Sequence, residues 1–356
     1  MIEFSQDDAL FMRRCFDLAR LGAGRVSPNP MVGAVLVYQG RIIGEGFHAA
    51  YGQAHAEVNA VASVAPADLP ALRESTLYVS LEPCCVYGKT PPCTNLILSR
   101  QIPKVVVSCI DPSPGVNGKG VEVLRAGGVE VRSGLLQKEG EELIRARRTF
   151  VQAKRPYVVL KWAETQQGIM APSGNVRYWI SGAYSRRLTH RLRMEADAIL
   201  IGGGTALTDD PELNNRYYFG KSPLKVVISP NTELPPSLNL FHGETPTLYM
   251  HSSKRTPGGF PPGVTCVSME EAGDELIPAV LAQLAARNIG IVLAEGGGQI
   301  LNAFIRLGLW DEAWVFQSKT TFIREGLPAP RIPVPCTREE TLGGDRLLYY
   351  RNQVAQ

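Results

Sequence analysis

The sequence predicts an α/β protein built as two domains. Runs rich in β-branched residues alternate with helix-like runs along most of the chain, the pattern of strands covered by helices. At 356 residues it is longer than one domain ordinarily holds. A polar stretch ending in proline, residues 152–156, separates two such alternating halves. The expected domains are therefore 1–152 and 156–356.

In the first half, Ser5 followed by Asp7 and Asp8 reads as a helix start, and Leu10, Phe11, Cys15, Leu18 and Ala19 form its apolar stripe. Residues 34–37 and 41–46 flank Gln39-Gly40 and predict a hairpin. Residues 55–65 are alanine-rich, without Gly or Pro, and predict a helix beginning near His55. A buried strand follows at 76–81 and is ended by Pro83. Then come a short helix at 94–100, a strand at 104–109, a helix at 120–126 and a strand at 129–132.

The second half starts with a strand at 157–162 and a helix at 183–195. A strand at 198–201 runs into Gly202-Gly203-Gly204-Thr205; further strands are expected at 224–229 and 247–251. A helix at 276–287 precedes a strand at 290–294 that leads into Glu295-Gly296-Gly297-Gly298 and a helix at 299–307. A strand, a glycine run and a helix start together form a cradle for phosphate, because glycine lets backbone N–H groups approach an anion. Glycine runs also close many ordinary turns, so both readings stand. The runs depart from Gly-x-Gly-x-x-Gly, which argues against an ordinary Rossmann dinucleotide site.

Hydrophobic residues at 44% and charged residues at 20% describe an ordinary globular chain with ample core. A formal net charge of +3 is too small for a nucleic-acid binder. The densest basic stretch, Arg145-Ala146-Arg147-Arg148, reads as a solvated helix face. No apolar run approaches the roughly 20 residues of a membrane span, and the start of the chain has no signal-peptide pattern. Seven cysteines in a chain this long do not read as a disulfide framework, so a reducing, cytoplasmic setting is expected.

The chemistry is concentrated in His55-Ala56-Glu57, Pro83-Cys84 and Pro92-Cys93. One imidazole and two thiolates can hold a zinc ion and leave its fourth position to water, and a carboxylate two residues from the histidine can move that water's protons. That set equips a site for hydrolytic deamination of an amino-substituted ring, with Glu57 as proton shuttle rather than ligand. Eight residues separate Cys84 from Cys93, unlike the Pro-Cys-x-x-Cys of nucleic-acid-editing deaminases, which argues for a small, specialised substrate. Cys85 reads as a loop filler, with competition for the metal as its alternative.

With these strings in place, the chain resembles the bifunctional deaminase/reductase family of riboflavin biosynthesis over nearly its whole length. The first half carries Pro28-Asn29-Pro30-Met31-Val32-Gly33, His55-Ala56-Glu57, Glu82-Pro83-Cys84 and Gly88-Lys89-Thr90-Pro91-Pro92-Cys93; the second carries Lys161-Trp162-Ala163, Trp179-Ile180-Ser181, Asp209-Asp210-Pro211 with Leu213 and Arg216, and Glu295-Gly296-Gly297. The resemblance implies a cytidine-deaminase-like α/β/α domain followed by a dihydrofolate-reductase-like α/β domain. It implies zinc-dependent deamination of a diaminopyrimidinone ribosylamino 5′-phosphate, then reduction of its ribosyl group to ribityl with NADPH.

By motif position, the resemblance gives His55, Cys84 and Cys93 to zinc and Glu57 to proton transfer. Asn29, His48 and Lys89 match substrate contacts, Lys89 being suited to the phosphate. Arg193, Leu213, Arg216 and Glu295 match substrate positions of the reductase. Ala163, Trp179, Thr205, Asp209, Gly297, Gly298, Gln299, Ile300, Leu301, Asn302 and Ala303 match cofactor positions. Physically, Arg193 and Arg216 read either as a phosphate clamp or as ion-pair partners, and Trp179 either as a nicotinamide contact or as core. Expected partners are a small phosphorylated pyrimidine and further copies of the chain as a homo-oligomer, with no nucleic acid and no membrane.

Some positions depart from the family pattern. Cys85-Val86 replaces Ser-His, Gln167-Gly168 replaces Asp-Gly, Arg177 replaces a serine and Ser229 a strand-end aspartate; the segment after Gln317 also differs. These changes leave an alternative in which only the deaminase is active and the reductase-like half is inactive or takes another substrate.

Overall fold

A computed structural model describes residues 4–174 and 178–352 of the chain; Arg177 lies outside them. The chain divides between Lys154 and Arg155 into two compact units.

The first unit opens with α1 (Gln6–Arg20). Ser5 Oγ accepts the Asp8 N–H at 3.0 Å while Asp8 accepts the Ser5 N–H at 2.8 Å, a reciprocal cap that fixes where the helix begins. The buried face is Met12, Cys15, Phe16, Leu18 and Ala19. Leu10, expected in the stripe, is 60% exposed. At 100° per residue it lies roughly 160° around the helix from Met12, on the solvent side.

β1 (Gly33–Tyr38) and β2 (Arg41–Phe47) form the hairpin, turning through Gln39 and Gly40 at φ of 49° and 74°. There follow α2 (Ala56–Ala62), β3 (Thr76–Leu81), α3 (Cys93–Ser99), β4 (Lys104–Cys109), α4 (Lys119–Ala126), β5 (Glu130–Ser133), α5 (Gln137–Leu143) and α6 (Arg145–Gln152). The sheet order is β2-β1-β3-β4-β5, with β3, β4 and β5 parallel. Strand alternation sends Ala34, Leu36, Leu77, Val79, Val105 and Val107 to one face, packed with α2, α3 and α4. Val35, Val37, Tyr78 and Val106 go to the other, packed with α1 and Leu143. The result is three layers, helix on sheet on helix. A Cβ at Gly46 would meet Ala60 N at 2.3 Å and Ala56 O at 2.5 Å, so only glycine lets α2 lie directly on β2.

Arg145, Arg147 and Arg148 do not form the solvated face expected of them. All are partly buried; Arg145 and Arg148 pair with Glu142 and Glu141. Arg147 reaches the Pro28 carbonyl at 3.4 Å and Ser113 Oγ at 3.0 Å.

The second unit contains β6 (Tyr157–Thr165), β7 (Ile169–Pro172), α7 (Ala183–Glu195), β8 (Ala198–Gly202), α8 (Gly203–Asp209), β9 (Leu224–Ser229), β10 (Thr247–Ser252), β11 (Val264–Met269), α9 (Leu276–Ala286), β12 (Ile291–Glu295), α10 (Gly298–Arg306), β13 (Glu312–Ser318), β14 (Gly326–Pro328), β15 (Arg338–Leu342) and β16 (Asp345–Arg351). Its nine-stranded sheet runs β11-β10-β9-β8-β12-β6-β13-β16-β15, parallel from β11 to β13, with β16 and β15 added antiparallel. Leu160, Leu200, Val226, Met250 and Val292 project to one face and pack with Val280, Leu284, Leu301 and Phe304 of α9 and α10. The sequence pattern alone predicts neither β7 and β11 nor β13–β16. β7 pairs with the distant β14 and β13 with the distant β6, while β15 and β16 meet across Gly343-Gly344 but carry too many charged residues to read as an apolar run.

Candidate metal centre and ligand cleft

Three loop-to-element junctions of the first unit bring the predicted ligands together. His55 is the N-cap of α2, Cys93 is the first residue of α3, and Cys84 follows β3. His55 Nδ1 lies 3.4 Å from each of the two sulfurs, and all three ligand atoms fall within 4.8 Å of one another. A tetrahedral zinc with Zn–N of about 2.0–2.1 Å and Zn–S of about 2.3 Å requires N···S edges of about 3.6 Å, so the donor set fits that ion.

The electrostatics prepare the same site. The hydrogen bond from Cys93, helped by His55, outweighs burial and holds the Cys84 thiol well below the ordinary thiol range, favouring a thiolate. The Cys93 N–H also donates to Cys84 Sγ at 3.3 Å. Thr90 Oγ1 is 3.5 Å from His55 Nε2 and steadies the far side of the ring. Cys85 turns away to the Gly115 carbonyl, 3.8 Å from its sulfur, so the competing-ligand alternative lapses. Val86, beside it, is 44% exposed.

Glu57 sits in the first turn of α2 and is 3% exposed. Burial, then the neighbouring Cys84 sulfur, push its carboxyl up to about 7, a value suited to taking and returning protons near neutrality. His48 packs edge-on against His55 with ring centroids 5.4 Å apart. Its Nδ1 meets the Ala54 carbonyl at 3.0 Å, and its Nε2 meets Asn29 Nδ2 at 3.2 Å. With Nδ1 as donor and Nε2 as acceptor both bonds form on a neutral ring, and burial lowers the pKa in that sense. Lys89 Nζ lies 4.1 Å from the centre of the Tyr51 ring, so its charge is held over an aromatic face.

Glu82 is a residue that motif reading leaves without a role. It is 3% exposed and accepts four backbone N–H groups: Asp111 and Gly118 on Oε2, Gly120 and Val121 on Oε1, at 2.8–3.2 Å. This carboxylate ties the start of α4 to the strand end that delivers Cys84. Its signals in the sequence were its position directly after an apolar strand and its place in the Glu82-Pro83-Cys84 string.

In the second unit a cleft of about 930 Å³ opens at the carboxyl ends of β6, β8, β9 and β12. Parallel sheets place ligands there. Both glycine turns line it. They face each other closely: a Cβ on Gly297 (φ 77°) would meet Thr205 Oγ1 at 3.0 Å.

Arg193, Leu213, Arg216, Glu295, Ala163, Trp179, Thr205, Asp209, Gly297, Gly298, Gln299 and Ile300 all border the cleft. Leu301, Asn302 and Ala303 do not. Only the first turn of α10 faces the opening; Leu301 is fully buried in the core, Ala303 packs against that core, and Asn302 points to solvent. Trp179 is 52% exposed, which removes its core reading.

Arg193 is committed to Glu295 by two bonds, Nε–Oε1 at 2.8 Å and Nη2–Oε2 at 2.9 Å. Arg193 is therefore a buried ion-pair partner, whereas Arg216 makes a longer, partly exposed pair with Glu212 at 3.7 Å. Burial opposes ionisation of Glu295, but Arg193 and Lys161 outweigh it and hold the carboxyl down to about 2. Lys161, quoted in the motif without a role, lines the cleft 3.9 Å from Glu295. Gln167 sits exposed in the β6–β7 turn, away from the cleft, while Gly168 keeps the positive φ of 74° that the turn requires. Ser229 donates to the Thr232 carbonyl at 2.6 Å and packs where a Cβ of Gly203 would fall.

A three-layer α/β unit with a His/Cys/Cys cluster is a cytidine-deaminase-like domain, and the glycine-lined parallel sheet that follows is a dihydrofolate-reductase-like reductase domain. Residues 5–109 match the cytidine and deoxycytidylate deaminase zinc-binding region, and 156–319 match the RibD C-terminal domain. The riboflavin biosynthesis protein RibD of Aquifex aeolicus (strain VF5) is 33% identical over 362 residues, spanning 97% of this chain and 98% of its own length. Its Bacillus amyloliquefaciens counterpart is 36% identical over 309 residues, spanning 85% and 82%. A Thermotoga maritima diaminohydroxyphosphoribosylaminopyrimidine deaminase/5-amino-6-(5-phosphoribosylamino)uracil reductase superposes with a TM-score of 0.87 at 35% identity, covering 97% of this chain and 99% of that one. Acinetobacter baumannii RibD superposes with a TM-score of 0.84 at 30% identity, covering 97% and 98%. The chain belongs to the RibD family, the bifunctional deaminase/reductases of riboflavin biosynthesis.

Proposed function

We propose that this chain performs two consecutive steps on one phosphorylated pyrimidine. The first is zinc-dependent hydrolytic deamination of 2,5-diamino-6-ribosylamino-4(3H)-pyrimidinone 5′-phosphate; the second is NADPH-dependent reduction of the ribosyl group to ribityl. The observation that carries this reading is the convergence of His55, Cys84 and Cys93 beside the buried Glu57.

Zinc held there would lower the pKa of a bound water to about 7 and supply hydroxide at neutral pH. Glu57 accepts the water's proton and delivers a proton to the departing amino group. Asn29 and His48 hold the ring edge, and Lys89 meets the phosphate. In the second unit the facing glycine turns would hold the phosphates of NADPH, which when bound would supply the hydride. Trp179 would pack against the nicotinamide, and the Lys161–Glu295–Arg193 cluster would order the pyrimidine end. The exposed position of Gln167 and the close packing of Ser229 favour an active reductase over the deaminase-only alternative.

The test is Glu57→Gln in the full chain. Given the diamino substrate, the variant should retain one zinc per chain by elemental analysis and release no ammonia. Given the deaminated intermediate, it should oxidise NADPH at 340 nm at the wild-type rate. Loss of zinc would remove Glu57 from the proton-transfer role. No NADPH oxidation by the wild-type chain would leave the deaminase alone.

A further inference from the structure

His190 borders the cleft of the second unit three residues before Arg193, on the same face of α7. No motif assigns it. It is 4% exposed, and its Nδ1 accepts two backbone N–H groups, those of Arg216 at 3.0 Å and Tyr217 at 3.4 Å. An acceptor at Nδ1 places the ring proton on Nε2, which fixes a neutral tautomer. The same ring stands edge-on to Tyr217 with centroids 4.7 Å apart, and the Arg216 guanidinium lies 5.1 Å from the centre of the Tyr217 ring. His190 therefore holds Arg216 twice, through its backbone and through the aromatic face on which its charge rests.

The two arginines of the cleft differ in what they have left to offer. Arg193 is neutralised by Glu295 and also donates to the Asn214 carbonyl at 2.8 Å, anchoring the other end of the same segment to α7. Arg216 has a side chain 32% exposed, bonds the Asn214 side chain at 2.7 Å and lies 3.7 Å from the more exposed Glu212, a long surface pair that a phosphate can displace. A planar guanidinium at the rim of a cleft is matched to the oxygens of a phosphate monoester.

We propose that His190 is a positioning residue that sets Arg216 to receive the 5′-phosphate of the pyrimidine at the reductase step. This rests on the reading of the cleft as a phosphorylated-pyrimidine site. Because the contact is an acceptor at Nδ1, the side chain that replaces it is asparagine, whose Oδ1 occupies the Nδ1 position. Glutamine places its oxygen nearer Nε2 and leaves the two N–H groups unpaired.

The experiment compares wild type, H190N and H190Q in the full chain, with NADPH and either the deaminated pyrimidine 5′-phosphate or its dephosphorylated nucleoside. H190Q should raise KM for the phosphorylated substrate about tenfold, as the Arg216 and Tyr217 N–H groups lose their shared acceptor, with kcat changed by less than about threefold. H190N should bring KM back to within about twofold of wild type. With the nucleoside, wild type and both variants should share one KM. A penalty of equal size on nucleoside and phosphate, or an H190N no better than H190Q, overturns the assignment. Wild-type protein that turns over neither substrate refutes the cleft reading itself, and His190 falls with it; turnover with unchanged KM in H190Q refutes only His190. NADPH Kd by fluorescence quenching should stay within about twofold throughout, and a parallel loss there would mark a general disruption of the cleft.

Discussion

Burial drives Glu57 and His190 toward their uncharged forms, the carboxyl up to about 7 and the imidazole down to about 4. For His190 the first cause is burial; Arg193 and Arg216 add to it, while Glu295 opposes. Between the ordinary histidine pKa of about 6.5 and about 4 the unfolded chain binds a proton that the folded chain refuses. This contribution to stability is complete above about pH 6.5 and is lost as pH falls toward about 4. Melting curves from pH 7.5 to 4.5 should therefore show the wild type losing stability faster than H190N below about pH 6.5, and parallel curves would contradict a neutral buried imidazole. The metal ligands were legible because each sits in a short string whose spacing has a chemical meaning. His190 was not, because the N–H groups it accepts belong to residues 26 and 27 positions away.

At the level of elements, sequence reads well where the cause is local. Ser5 and Asp8 announce α1, Gln39-Gly40 announces the hairpin, and Pro83 ends β3. It reads poorly where a partner is distant, and Glu82 is the clearest case. Its four N–H donors lie 29 to 39 residues downstream, so the Glu82-Pro83-Cys84 string marks the residue without showing what it holds. Glu82→Ala would leave those donors unpaired in a buried loop and free the Pro83-Cys84 corner. The expected cost is roughly 3 kcal/mol to the first unit, with weaker metal binding, because hydrogen bonds to a charged acceptor are worth more than neutral ones. Urea titration reads the first effect and competition with a chromophoric chelator the second. A wild-type midpoint would mean that water substitutes for the carboxylate.

Across the whole molecule, most parallel strands were legible as apolar runs, whereas the parallel edge strand β11, β13 and the antiparallel end were not. β13 and β16 carry charged and aromatic residues whose burial follows only from pairing, as when Trp314 sits opposite Tyr349, and β15 is an exposed, charged edge strand. Each unit nonetheless has its own core: clusters on Leu36 and Val35 in the first, and on Leu160 and Ile199 in the second. The metal ligands belong wholly to the first unit and the cleft wholly to the second. A ligand stabilises the unit that binds it by RT ln(1 + [L]/Kd), so at a hundredfold excess over Kd the gain is about 2.7 kcal/mol. Calorimetry should then resolve two transitions. Chelation of the metal should lower only one, NADPH should raise only the other, and the Glu82→Ala variant should move the chelator-sensitive one. A single transition that responds to both ligands would mean that the two cores fold as one unit, despite carrying separate sites.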